Sequence, residues 1–216
     1  SILPASPGFG YYESSYAMIH ATAPSATVKV GDEAAFSATV TGAYAGASGS
    51  KSAENITLFI SDPSETETLS QPTHKTTATT DASGNLEYIF REPGYYTVAM
   101  FNVTPDDMTY KSVYGEVTIG EYYSLYAGDY AIVHVTKAAD INALITKYRS
   151  ENLAAAKAYY ERFHDYDFTT ADYRTFTSAY NALKSNQTSA TTFKELMDSF
   201  DADYAALQAA GANALD

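Results

Sequence analysis

Residues 91–101 read REPGYYTVAMF. The Pro-Gly pair sets a turn, and after two tyrosines the chain alternates with period two, as a strand does. Neighbours in a strand point to opposite faces, so the tyrosine pair divides. Tyr96 shares a face with Val98 and Met100 and reads as core, whereas Tyr95 points the other way with Thr97 and Phe101. The residues on either side read as strands too. Upstream, TTATTDASGNLEYIF (76–90) is two strands around residues 81–85, with Leu86, Tyr88 and Phe90 on one face. TVKVGDEAAFSATVTG (27–42) breaks at Gly31-Asp32, after which Phe36, Ala38 and Val40 alternate with Ser37 and Thr39.

Further strands are expected in SYAMIHATA (15–23), NITLFIS (55–61), GEVTIG (115–120) and YAIVHVT (130–136). Six or more strands with turn signals and no helix between them predict an antiparallel β-sandwich. From Lys137 the chain changes character. All seven prolines lie at or before Pro105, and of twelve glycines only Gly211 falls beyond residue 130. Apolar residues then recur at helical spacing. Ile141, Ile145, Tyr148, Ala155, Tyr159 and Phe163, widened by Leu144, mark a helix over 140–164. Tyr173, Phe176, Tyr180 and Leu183 mark one over 170–185, and Phe193, Leu196, Met197, Phe200, Tyr204 and Leu207 one over 190–208. Thr192 and Glu195 have capping-box spacing, with Ser189 as a competing cap. The breaks DYDFTT and SNQTSA are short, which predicts antiparallel neighbours. The fold class is therefore α+β with two domains: an antiparallel sandwich over 1–136 and an antiparallel three-helix bundle over 137–216.

Charge and composition narrow the function. The net charge is −13 and there are no cysteines, so a thiolate metal site and a disulfide framework are both excluded. Residues 1–136 hold 15 Asp and Glu against 5 Lys and Arg, net −10; residues 137–216 hold 11 against 8, net −3. Such a field repels phosphate backbones and anionic lipid surfaces, so nucleic acid and membrane are not expected partners. No apolar run is long enough to span a bilayer as a helix. The opening SILPASPGFGYYESS has neither a basic n-region nor an initiator Met. The chain is accordingly expected to be a mature or excised segment, with any export signal or wall anchor elsewhere.

Two resemblances follow from these residues. Gly94-x-Tyr96-x-Val98 resembles the start of the F strand in immunoglobulin-like sandwiches, where the tyrosine hydroxyl bonds back to the preceding corner. The likeness is strongest over 76–103 and resembles the cysteine-free Ig-like modules of bacterial surface proteins. Val98 and Ala38 stand where the antibody pattern has its two cysteines. Residues 138–210 resemble the FIVAR repeats of bacterial cell-surface proteins, through Tyr166, Phe168-Thr169, Tyr180-x-Ala182-Leu183, Asn186, Thr188 and the closing Tyr204-Ala-Ala-Leu207. The resemblance implies an extracellular or cell-wall-attached module, acting as a spacer or as an adhesion or glycan-binding segment. Its alternative is an accessory carbohydrate-binding region of a secreted glycan-active enzyme.

Candidate chemistry is sparse. His20, His74, His134 and His164 are scattered, and His134 reads as a half-buried strand residue. Asp81-x-Ser83-x-Asn85 has its glycine at the fourth position, not the sixth that a calcium loop needs, and no closing glutamate, so it reads as a polar turn; Asp106-Asp107 is an acidic loop open to either reading. No nucleophile elbow or phosphate-binding loop occurs. The chain is read as non-enzymatic, with no catalytic residues, no metal and no cofactor. Tyrosine is in excess, at 20 residues, and clusters in YGEVTIGEYYSLYAGDY (114–130). Tyr114, Tyr122, Tyr123 and Tyr126 are the expected ligand-binding residues, stacking on a sugar ring or burying against a protein at the cell surface. The competing reading has them pack against the bundle or fill the sandwich edge.

Overall fold

A computed structural model of the chain describes residues 18–41, 50–52, 54–101, 109–112, 115–118 and 130–215. The chain divides into two compact units, Ser1–Thr136 and Lys137–Asp216. The first is built of sheets and the second of three helices, an α+β arrangement.

The sheet unit holds β1 (Met18–Thr22), β2 (Val28–Lys29), β3 (Glu33–Thr41), β4 (Ser50–Ser52), β5 (Thr57–Ile60), β6 (His74–Thr79), β7 (Asn85–Ile89), β8 (Gly94–Phe101), β9 (Thr109–Ser112), β10 (Gly115–Thr118) and β11 (Ala131–Thr136). In one sheet β3 pairs with β1 along one edge, and with β7 and β4 along the other. A five-stranded sheet runs β2-β11-β8-β5-β6, antiparallel throughout except that β2 lies parallel to β11. β9 and β10 form a separate two-stranded ladder. β4 and β9 had no strand signal; Ser-Lys-Ser in particular offers no apolar residue to read.

Alternation decides what the sheets bury. Ala34, Phe36 and Ala38 of β3 and Leu86 and Tyr88 of β7 are buried, while Ala35, Asn85 and Glu87 between them are exposed. The two sheets meet through Phe90, whose ring lies 6.4 Å from Phe36, 5.0 Å from Tyr88 and 4.8 Å from Tyr96 of β8. The Tyr96 hydroxyl donates to the Glu92 carbonyl at 2.7 Å, the corner bond expected from the sequence. Gly94 sits at φ +145°, and a Cβ there would meet the Pro63 Cβ at 2.6 Å. Glycine is therefore required for the Ser64–Tyr95 bridge that closes beside it.

Strand β8 corrects a detail of the period-two reading. Thr97, Ala99 and Phe101 fall on the face opposite Tyr96, as expected, yet they too are buried. Phe59 stands edge-on to Phe101 at 5.1 Å, with Ala99 and Tyr130 beside them. The link between β5 and β6 closes over Thr97, whose hydroxyl accepts from the Ser70 backbone N–H at 2.9 Å.

The helical unit holds α1 (Ile141–Tyr160), a 3-10 turn (Asp165–Asp167), α2 (Thr170–Ser189) and α3 (Phe193–Gly211). Each helix starts on a side-chain cap: Asp140 accepts from Ala143 N–H, Thr169 from Asp172, and Thr192 from Glu195. Thr192 is thus the cap of α3, and Ser189 is the last residue of α2. The Glu195 carboxylate accepts from Thr191 backbone and hydroxyl, contacts that hold it below its ordinary pKa. Ala156, Phe168, Phe176, Leu183, Leu207 and Ala210 form the core. Cross-helix contacts give the directions. Arg149 and Tyr160 of α1 meet Gln187 and Tyr173 of α2, so these helices are antiparallel; Asn152 and Tyr159 meet Met197 and Gln208, so α1 and α3 are parallel.

Two sequence expectations shift in α1. Ile141 and Ala155 are exposed, and the buried stripe runs Ile145, Asn152, Ala156. Helix α2 also continues to Ser189, beyond the expected 185, because Gln187 faces inward and is fully buried. Gln187 Oε1 accepts from Asn152 Nδ2 at 3.0 Å, and Gln187 Nε2 donates to the Leu196 carbonyl at 2.9 Å.

Three outcomes are expected. Tyr96→Phe removes the corner hydrogen bond and lowers unfolding free energy by about 1 kcal/mol, read from denaturant titration. An unchanged midpoint would show the bond to be idle. Asn152→Ala leaves the Gln187 side-chain Oε1 buried without that donor and costs roughly 1–3 kcal/mol in the helical unit. Glu87 is held above its ordinary pKa first by a side-chain hydrogen bond with Glu33 and then by that residue's charge. A folded pKa raised in this way gives stability that is present below the unfolded value and lost as pH rises through the folded one. Glu87→Gln should therefore be more stable than the parent at neutral pH, with the gap closing in acid; melting curves across pH 3–7 check the sign.

Candidate functional site

The expected ligand-binding residues Tyr114, Tyr122, Tyr123 and Tyr126 lie outside the described residues, as do Asp106 and Asp107. The strands that flank them are described. Phe101 pairs with Thr57 and Ala131 with Val98, so β8 ends, β5 begins and β11 begins at one end of the five-stranded sheet. Strand β3 ends at that same end, since β7 runs against β3 and passes into β8 through residues 90–93 at the other. Thr41, Ser50, Phe101 and Ala131 therefore gather at one end of the sheet unit, and Thr136 lies at the opposite end, since Val135 pairs with Gly94. The sequence between Phe101 and Ala131 leaves and rejoins the sheets there. In sequence that stretch contains the four tyrosines.

At the opposite end, the Tyr95-Tyr96 pair divides as its sequence position requires. Tyr96 is 3% exposed. Tyr95 is half-buried on the outer face of β8 and stacks on His134, its cross-strand neighbour, at 4.2 Å and 6°. His134 thus has the half-buried strand role read from the sequence. Towards the same end of the sheet, on its β6 edge, His74 and Asp62 stand 2.7 Å apart on the surface. Both groups lie in the open, and among the described residues no third His, Asp or Glu joins them as a metal-holding group.

The Asp81 loop behaves as a turn. Asp81 Oδ1 accepts from the backbone N–H groups of Ser83 at 2.9 Å and Asn85 at 3.0 Å, so the carboxylate is turned onto its own chain. Among the described residues, no three His, Asp or Glu side chains are placed to hold a metal ion. No described helix is long and apolar enough to cross a membrane.

The helical unit contains the densest described arrangement of polar aromatics, which helical periodicity alone did not single out. Tyr160 and Tyr173 bring their hydroxyls to 3.4 Å, and Tyr160 also meets Thr177 Oγ1 at 3.2 Å. Desolvation, with the nearby Glu161 charge, pushes the Tyr180 phenol above its ordinary pKa. A second aromatic point, Tyr166, is 73% exposed in the turn between α1 and α2 and stacks on His164 at 4.9 Å. Arg149 is also functional in holding the bundle: its Nε donates to the Gln187 carbonyl at 2.8 Å and its Nη2 to that of Ala190 at 2.7 Å, closing the end of α2. The sequence signal for these was a basic residue and two amides standing at core spacing on facing helices.

Compared with known protein families, curated proteins and solved structures, the chain matches none.

Proposed function

We propose that the chain is a non-enzymatic module of an extracellular or cell-wall-attached bacterial protein: an Ig-like sandwich over 1–136, a FIVAR-like bundle over 137–216, and together a load-bearing spacer. The Ig-like part of the reading is supported by the strand orders β1-β3-β7 and β2-β11-β8-β5-β6 and by the Tyr96–Glu92 corner bond. The observation that carries the spacer role is the parallel pairing of β2 with β11. Tension along the chain pulls β2 towards its N-terminal end and β11 towards its C-terminal end. In a parallel pair these pulls are opposed, so the bonds between them, such as Val30 N–H to the Thr136 carbonyl at 2.9 Å, are loaded together in shear. Bonds that must break together resist more force than bonds that open one at a time.

A second reading, adhesion or glycan binding through Tyr114, Tyr122, Tyr123 and Tyr126, is supported by the common end from which the tyrosine-bearing segments depart. Aromatic rings from several connections at one end would give a patch suited to a sugar or a protein.

Because the chain lacks cysteine, single-molecule handles can be introduced by substitution at exposed Ser25, Pro93 and Lys137. Stretching between 25 and 137 shears β2 against β11, whereas stretching between 93 and 137 unzips β11 from β8. The spacer reading expects a several-fold higher unfolding force in the first geometry, and equal forces would refute it. Glycan-array or pull-down binding that is lost in the Tyr122→Ala/Tyr123→Ala chain would instead support the binding role.

A further inference from the structure

A column of rings crosses the seam between α1 and α2. Phe168 stacks on Phe176 at 4.9 Å and 26°, Phe176 on Tyr160 at 5.0 Å and 24°, and Tyr160 on Tyr180 at 4.2 Å and 16°. The Lys184 ammonium lies 4.5 Å from the Tyr180 ring centre and caps the column at the surface. Beside it, the hydroxyls of Tyr173 and Tyr160 lie 3.4 Å apart. Both phenols are half-buried, and they come from antiparallel helices joined by the turn at Asp165–Asp167.

The chemistry of paired phenols gives this contact a meaning beyond packing. A phenol that loses one electron and its hydroxyl proton becomes a phenoxyl whose unpaired spin lies on oxygen and on the ring carbons next to the C–O carbon. Two such radicals join through those ring carbons. The product is a biphenol whose two hydroxyls flank the new bond and hydrogen-bond to each other. The hydroxyls of Tyr160 and Tyr173 already lie within hydrogen-bond distance of each other, at 3.4 Å.

We propose that Tyr160 and Tyr173 form an oxidative cross-linking site, at which a peroxide-driven one-electron oxidant joins α1 to α2 through a carbon–carbon bond between their Cε atoms. Each phenol gives up one electron and one proton. After coupling, the hydrogen on each joined ring carbon shifts to its phenolic oxygen and restores aromaticity. One hydrogen peroxide takes up the two electrons and two protons and leaves as two waters. Thr177 Oγ1, 3.2 Å from the Tyr160 hydroxyl, is positioned to relay the departing proton towards solvent. Tyr180, half-buried like Tyr160 and stacked on it, gives a second ring through which the electron can leave Tyr160. In a chain with no cysteine, such a bond is a covalent staple that needs no thiol.

The test treats the intact chain, kept dilute, with hydrogen peroxide and a haem peroxidase. Biphenol fluorescence and mass mapping of proteolytic fragments are the readouts. Expected is an intrachain link between the Tyr160 and Tyr173 fragments, lighter by two hydrogens, with a raised melting midpoint for the helical unit. Tyr173→Phe should lose that link while its circular dichroism stays helical. Tyr180→Phe should form it several-fold more slowly, and Tyr166→Phe at the parent rate. The proposal is overturned if the oxidised folded chain lacks the 160–173 link, or if its yield is unchanged when the chain is oxidised in urea. Intrachain biphenol undiminished in Tyr173→Phe would equally overturn it.

Discussion

Strand β8 is hydrogen-bonded to β5 along one edge and to β11 along the other, and from Tyr96 to Phe101 neither of its faces meets water. A strand buried on every side admits no unsatisfied polar group. Its one hydroxyl-bearing aliphatic residue, Thr97, is met on all counts: Ser70 donates to its hydroxyl, Ser61 Oγ accepts from its N–H, and Ser61 N–H donates to its carbonyl. These contacts fix the path of the chain after β5. Pro63 can lie against the start of β8 only because residue 94 has no side chain, and Phe90 can fill the space between the sheets only because the corner at Glu92 holds Tyr96 beneath it. The acidic surplus of this unit is carried by residues outside β8, which contains no charged side chain at all.

The inward face of this arrangement was legible in the sequence because its residues alternate with polar ones. Phe36, Ala38, Leu86 and Tyr88 each stand between residues that water can reach, and the period alone sorts them. The outer face of β8 was not legible. Ala99 and Phe101 are shielded by partners distant along the chain, and nothing within the strand distinguishes a covered face from a wet one. The same limit applies to Asn152 and Gln187. Each stands at stripe spacing but is a polar residue, which by itself argues for water, and each is buried because the other satisfies it. Only the register between α1 and α2 reveals the pairing. That register also brings the Tyr160 and Tyr173 hydroxyls together; Tyr173 reads as a stripe member and Tyr160 stands beside the α1 stripe, so their contact went unseen. At the sheet unit, the split of Tyr95 from Tyr96 and the half-buried setting of His134 could be read directly, since both follow from side-chain alternation. That Thr41, Ser50, Phe101 and Ala131 share one end required the strand order.

The two units hold themselves together by different means. The sheet unit relies on long-range pairing around an aromatic core, with glycine and proline setting its corners. The helical unit relies on caps at each helix start, a graded aromatic interior and a polar lock that fixes which turn of α1 faces which turn of α2. Arg149 ties that lock to the end of α2 by two charge-assisted bonds, a geometry that the single point charge of a lysine does not reproduce.

The pairing of β2 with β11 also has a consequence for the order of assembly. It joins Val28 to Val135, nearly the full span of the sheet unit, so the ladder cannot close while the later residue is still being synthesised. Closure of so long a loop is entropically unfavourable and slow. The helical unit has no comparable wait, because α1 and α2 meet across a short turn. On a chain made from its N-terminus, the first unit to begin is thus the one that must stay open longest.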